Sequence, residues 1–83
     1  MDRRNRGSGP VAAIRIAAGF TQTSAAAAMG YAQSYLARIE GGYVDPGTSR
    51  VAKMAKIYGV PIEVMVTAIE KAQRARARRG VAA

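Results

Sequence analysis

The sequence predicts an all-α fold, one compact domain of five short helices. Three observations carry this expectation. Apolar residues recur at three- and four-residue spacing, glycines and prolines punctuate the chain between those runs, and no segment alternates apolar with polar residues as a half-buried strand does. Eighty-three residues suffice for one core and leave little room for a second. Much of the 49% hydrophobic fraction is alanine, so that core should be thin.

Taken in order, residues 1–9 are polar, basic and glycine-containing and read as a flexible arm. Pro10 suits the first turn of a helix, with Ser8 as a possible cap; Val11, Ile14 and Ala18 follow helical spacing and Gly19 ends it. Thr21 is a good N-cap for a second helix, Gln22–Met29, which Gly30 terminates. Ser24 stands where a reciprocal capping box usually has Glu or Gln, so the box is expected to be incomplete. A third helix runs from about Gln33 to Glu40, with Leu36 and Ile39 inward, Tyr31 packing just ahead of it and Gly41-Gly42 stopping it. The breakers in Tyr43-Val44-Asp45-Pro46-Gly47 form a loop, after which Thr48 is expected to cap a fourth helix with Val51, Met54, Ala55 and Tyr58 on its apolar face. Pro61 opens a fifth, with Ile62, Met65, Val66 and Ile69 on one stripe. The foldable domain is thus expected over residues 10–69. Residues 70–83 favour helix by composition but hold nothing apolar after Ile69 except Val81, so a basic helical rod and a frayed tail both remain open.

Composition excludes several kinds of chemistry. Cysteine is absent, so neither disulfides nor a thiolate metal site is available. Histidine is absent too, which removes the commonest general base and metal ligand. Asp2, Glu40, Asp45, Glu63 and Glu70 form no carboxylate pair in sequence. Neither an enzyme nor a cofactor or metal site is expected, and no small-molecule ligand. The net charge of +8 favours a polyanionic partner, nucleic acid before an anionic membrane surface. No apolar run reaches transmembrane length and no signal-peptide core is present, so a cytoplasmic protein is expected.

The segment from Thr21 to Gly42 carries the most information: two short helices joined by a tight glycine turn, the second opening with exposed amide and hydroxyl side chains. The pattern Arg15…Gly19-Phe20-Thr21-Gln22…Ala26…Met29-Gly30…Ser34-Tyr35-Leu36…Arg38-Ile39-Glu40…Gly42…Pro46…Ala55…Tyr58-Gly59-Val60 resembles the lambda-repressor-like, Cro/Xre-type helix-turn-helix family. The resemblance covers about residues 10–69. It implies a compact five-helix DNA-binding domain and a role for particular residues. Gln33, Ser34 and Arg38 match positions that read base edges, where glutamine suits adenine and arginine guanine. Gln22 and Thr23, at the start of the second helix, match phosphate-contacting positions, as do Tyr35, Tyr43 and, on the fourth helix, Arg50. Arg15 matches a position behind the motif that pairs with the acid corresponding to Glu40, a structural ion pair clamping the first helix to the third. Two residues depart from the family pattern. Ala25 replaces a larger aliphatic residue, and Ala32 replaces a Ser or Thr cap, which costs on the order of 1 kcal/mol. Ala37 is small enough to let the helix approach the groove floor.

Each of these readings has a plainer competitor. Gln33 and Ser34 could be solvated polar residues and Arg38 half of a surface ion pair; the surrounding motif favours DNA contact. Lys53 and Lys56 read as a solvated face, and Met54 and Met65 as core fillers. Arg3, Arg4 and Arg6 in the arm and Arg74, Arg76, Arg78 and Arg79 in the tail read as nonspecific attraction for DNA. The leading functional expectation is a sequence-specific regulator of transcription on double-stranded DNA, a small repressor of phage, Cro-like or antitoxin/controller type, acting as a homodimer on a two-fold operator. Val64 and Ala68 are a candidate dimer surface. The alternative is a protein-interaction module on the same fold whose basic tails bind nucleic acid nonspecifically. A lipid anchor through residues 70–79 ranks last, because they offer no large apolar stripe.

Overall fold

A computed structural model describes residues 9–82, with side chains to residue 78. The described residues form five helices in the order α1 (Pro10–Ala17), α2 (Gln22–Met29), α3 (Gln33–Glu40), α4 (Thr48–Tyr58) and α5 (Ile62–Ala82). α5 packs across α4 and α1, while α2 packs against α3 and α4. Val11, Met29, Leu36, Ile39, Met54 and Met65 are fully enclosed between them, and Ala25, Ala26, Ala55, Ala68 and Ala72 are buried in the same cluster. Small alanines beside a few large side chains make a thin but closed core.

The helix ends differ from expectation in two places. Ser24 completes the reciprocal capping box with Thr21: the Ser24 amide donates to Thr21 Oγ1 at 3.0 Å and the Thr21 amide donates to Ser24 Oγ at 3.0 Å. The box needs only an oxygen that reaches back one turn, and a serine hydroxyl does so here without a longer Glu or Gln. Thr48 is not the cap of α4 but its first residue; Gly47 occupies the cap position and makes no side-chain cap hydrogen bond. The Asp45 carboxylate accepts the Gly47 amide at 3.0 Å, so the turn closes on the aspartate side chain one residue before the threonine. At the start of α1 the cap is Gly9, also without a side-chain hydrogen bond, and the proposed cap Ser8 lies outside the described residues.

α5 corrects the expected stripe. Met65 and Ile69 are buried, but Ile62 and Val66 remain exposed, and the buried line continues instead through Ala68 and Ala72. Positions 65, 68, 69 and 72 lie on one face at helical spacing, whereas Val66 is rotated by about 100° from Met65. Ala68 therefore belongs to the core and cannot serve an exposed dimer surface beside Val64, which does face outward. Ala72 also supplies an anchor beyond Ile69, and α5 runs on unbroken through the basic segment.

The anchor depends on Gly42. It has φ +80°, and a Cβ there would lie 2.4 Å from the Ala72 carbonyl oxygen. Gly42→Ala therefore meets two penalties: about 1–2 kcal/mol for the left-handed backbone and about 1–3 kcal/mol for overpacking against rigid helix backbone. The expected outcome is a melting temperature lower by roughly 10 °C or more, with faster amide exchange beyond Ala72. An unchanged melting curve would show that α5 is not pinned at this point.

Candidate nucleic-acid interface

α3 divides cleanly into two sides. Leu36, Ile39 and Glu40 are buried, whereas Gln33, Ser34 and Arg38 are exposed, with half-buried Ala37 among them. The helix is held in this orientation by the turn before it. Gly30 adopts φ 76°, and the Gly30 and Tyr31 amides return to the Ala27 and Ala26 carbonyls, ending α2 within one residue. That left-handed step, which glycine takes without a Cβ penalty, turns the chain sharply enough for α3 to begin three residues later.

Behind α3 lies a polar network. The Arg15 guanidinium, fully buried, donates to Glu40 Oε2 at 2.7 Å, to Glu40 Oε1 at 3.3 Å and to the Phe20 carbonyl at 3.1 Å. The structure thus brings α1 and the end of α3 together through a forked charge-assisted contact. The network then leaves the interior. Gln22 Nε2 donates to Glu40 Oε1 at 3.0 Å, and Gln33 Nε2 donates to Gln22 Oε1 at 2.8 Å. Gln22 and Gln33, assigned to phosphate and base contact from the sequence, are therefore joined to each other and to the buried pair. Tyr58 borders this region with its ring 5.7 Å from that of Phe20. Its pKa is pushed up chiefly by burial and next by the Glu40 carboxylate, an effect that Arg15 opposes, so the phenol stays neutral.

A second group flanks the start of α3. The rings of Tyr31 and Tyr35 meet edge-on at 5.2 Å. Arg50 lies 6.0 Å from the Tyr35 ring centre and donates to the Pro46 carbonyl at 3.3 Å, and the Lys53 ammonium stands 5.6 Å from the Tyr31 ring centre. Burial raises the Tyr31 pKa, the Tyr35 phenol adds to the rise, and Arg50 works against it. Lys53 is exposed, in line with its reading as part of a solvated face, but its place beside Tyr31 was not foreseen. Its place one turn after Arg50 on α4, on the same helical face, was the available signal. Thr23 is exposed in the first turn of α2, where the box consumes the Ser24 amide and leaves the Gln22 and Thr23 amides facing outward.

At the far end of α3, Tyr43 is 64% exposed and the Arg76 guanidinium stacks 3.8 Å from its ring centre. Arg74 and Arg78 are exposed on α5. The structure thus brings one tail arginine beside a predicted phosphate contact, while Arg3, Arg4, Arg6 and the Arg79 side chain lie outside the described residues. Among the described residues no cluster of three or more Asp or Glu forms a metal site, and no helix is long and apolar enough to cross a membrane.

The helix-turn-helix family matches residues 11–65. No curated protein and no solved structure matches the chain. The matched span takes in α1 through the first turn of α5, including the whole Thr21–Gly42 segment, and the chain belongs to the lambda-repressor-like, Cro/Xre-type family of helix-turn-helix DNA-binding regulators.

Proposed function

We propose that the protein is a sequence-specific regulator of transcription, a small repressor that sets α3 into the major groove of double-stranded DNA and acts as a homodimer on a two-fold operator. The observation that carries this reading is the exposed row Gln33, Ser34 and Arg38 on a helix whose opposite side is locked into the core. A reading helix must offer side chains to base edges while its backbone is held still, and the exposed row on a packed α3 supports that reading. Flanking groups supply the sequence-independent part. Thr23, the first amides of α2 and the free N–H of Gln22 suit one phosphate strand, and Tyr35 with Arg50 and Lys53 suits the neighbouring one. Tyr43 and Arg76 extend the basic surface past the other end of α3, while Arg74 and Arg78, two residues away from Arg76 along α5, face another side and add to the overall positive charge.

Selection of bound duplexes from a random DNA pool tests this. Two half-sites in inverted order are expected, with centres about one helical turn, roughly 34 Å, apart. Affinity should fall linearly on a log–log salt plot, with a slope of roughly −0.9 for each phosphate neutralised. Recovery of no preferred sequence, with salt-sensitive binding retained, would instead support the interaction-module reading in which only the basic surface meets nucleic acid.

A further inference from the structure

We infer that the buried Glu40 carboxylate, acting through Gln22, sets the sense in which the Gln33 amide faces DNA and so makes that position select adenine against guanine. The inference rests on the proposed base reading by Gln33. It uses a chain of side chains that runs from the core to the surface, Arg15–Glu40–Gln22–Gln33, with contacts of 2.7, 3.0 and 2.8 Å.

The chemistry of each link leaves one choice. An ionised carboxylate accepts hydrogen bonds and donates none. Both Glu40 oxygens face donors, the Arg15 guanidinium at 2.7 and 3.3 Å and Gln22 Nε2 at 3.0 Å. Gln22 must therefore turn its NH2 toward Glu40, which leaves its carbonyl oxygen toward Gln33. Two amide oxygens cannot share that contact, so Gln33 must turn its own NH2 inward to Gln22. One N–H of Gln33 is consumed in this way, and its oxygen and second N–H are left for the groove. That remaining acceptor–donor pair matches the N6 amino group and N7 of adenine. Guanine presents two acceptors, N7 and O6, in the same groove, and the Gln33 oxygen would oppose O6. A polar residue in the interior, outside the reach of DNA, thus determines which base the surface residue tolerates.

Reversing the first link should reverse the others. In Glu40→Gln the new amide oxygen is claimed by Arg15 Nε, the closer of the two guanidinium contacts, and its NH2 faces Gln22. Gln22 then turns its oxygen inward and its NH2 outward. Gln33 follows and presents NH2, a double donor, to the groove.

The test begins with a duplex selected by the wild-type chain and identifies the base pair at which Gln33→Ala abolishes preference. A·T is expected there, and a G·C pair would overturn the inference. Dissociation constants are then measured for the A·T duplex and for the same duplex carrying G·C at that position. For Glu40→Gln the adenine-over-guanine ratio should fall roughly tenfold or more. Because that variant also weakens the fold, Gln22→Leu serves beside it: the Arg15–Glu40 pair stays intact and only the relay is cut. Its affinity for both duplexes should fall together through the lost phosphate contact, and the ratio should fall as well. A purely structural role for Glu40 would lower the active fraction equally for both duplexes and leave the ratio unchanged. If Gln33→Ala alters no base preference, base reading by Gln33 fails. If Gln33→Ala alters it while Gln22→Leu and Glu40→Gln leave the ratio at its wild-type value, the relay alone fails.

Discussion

Glu40→Leu is expected to destabilise the fold by about 3–5 kcal/mol, the range for removing one member of a buried ion pair. The carboxylate balances a guanidinium that has no exposure to water, and the substitution leaves that charge in a low-dielectric interior. A chain of this size has a total stability of only about 0.05–0.15 kcal/mol per residue, so this single change removes a large share of it. The melting temperature should drop by roughly 15–30 °C, read by circular dichroism. Combining Glu40→Leu with Arg15→Met should recover most of the loss, because the pair's attraction largely offsets its own desolvation and an apolar pair of similar volume restores packing. If Glu40→Leu alone melts within a few degrees of wild type, the pair is not what clamps α1 to α3.

The double variant Gln33→Ala/Arg38→Ala addresses the other face of α3. Both residues are exposed, so stability should stay within about 0.5 kcal/mol of wild type. Discrimination should collapse. Each bidentate base contact is worth about 1–3 kcal/mol, so the ratio of affinities for the selected duplex and a scrambled one should fall roughly a hundredfold or more. Affinity for the scrambled duplex should change only modestly, since one positive charge is lost from a strongly basic surface. Measuring both dissociation constants at one salt concentration separates these effects. A ratio that survives the double substitution would move base reading off α3 and leave the fold with its basic surface as the whole of the interaction.

Much of the helix-turn-helix geometry is legible in the sequence because its signals are local. The Thr21 cap, the Gly30 turn and the Gly41-Gly42 stop act through backbone chemistry within a few residues, and the bounds of α2 and α3 follow from them. The inward placement of Leu36 and Ile39 follows from helical spacing in the same way. Apart from the local readings at Ser24 and Thr48, the readings that failed depended on which helices pack against one another. Which stripe of α5 is buried was decided by α1, α4 and Gly42, so Val66 and Ile62 stayed outside while Ala68 and Ala72 went in. Lys53 is exposed as its sequence position suggests, and only its approach to the Tyr31 ring, distant in sequence, needed the fold.

By itself the sequence determined the all-α class, the five helices, the helix-turn-helix at Thr21–Gly42 and the outward row Gln33, Ser34 and Arg38. These are properties of spacing, capping and turn chemistry, which the chain carries locally. Tertiary structure alone decided that the row is tied to the interior. Glu40, Gln22 and Gln33 come from three different turns of the motif and meet only because α2 crosses α3 closely enough for 3.0 and 2.8 Å contacts. It likewise decided that α5 passes the end of α3 and lays Arg76 on Tyr43. Hydrogen-bond donors and acceptors are written in the sequence, but which donor finds which acceptor is settled by packing.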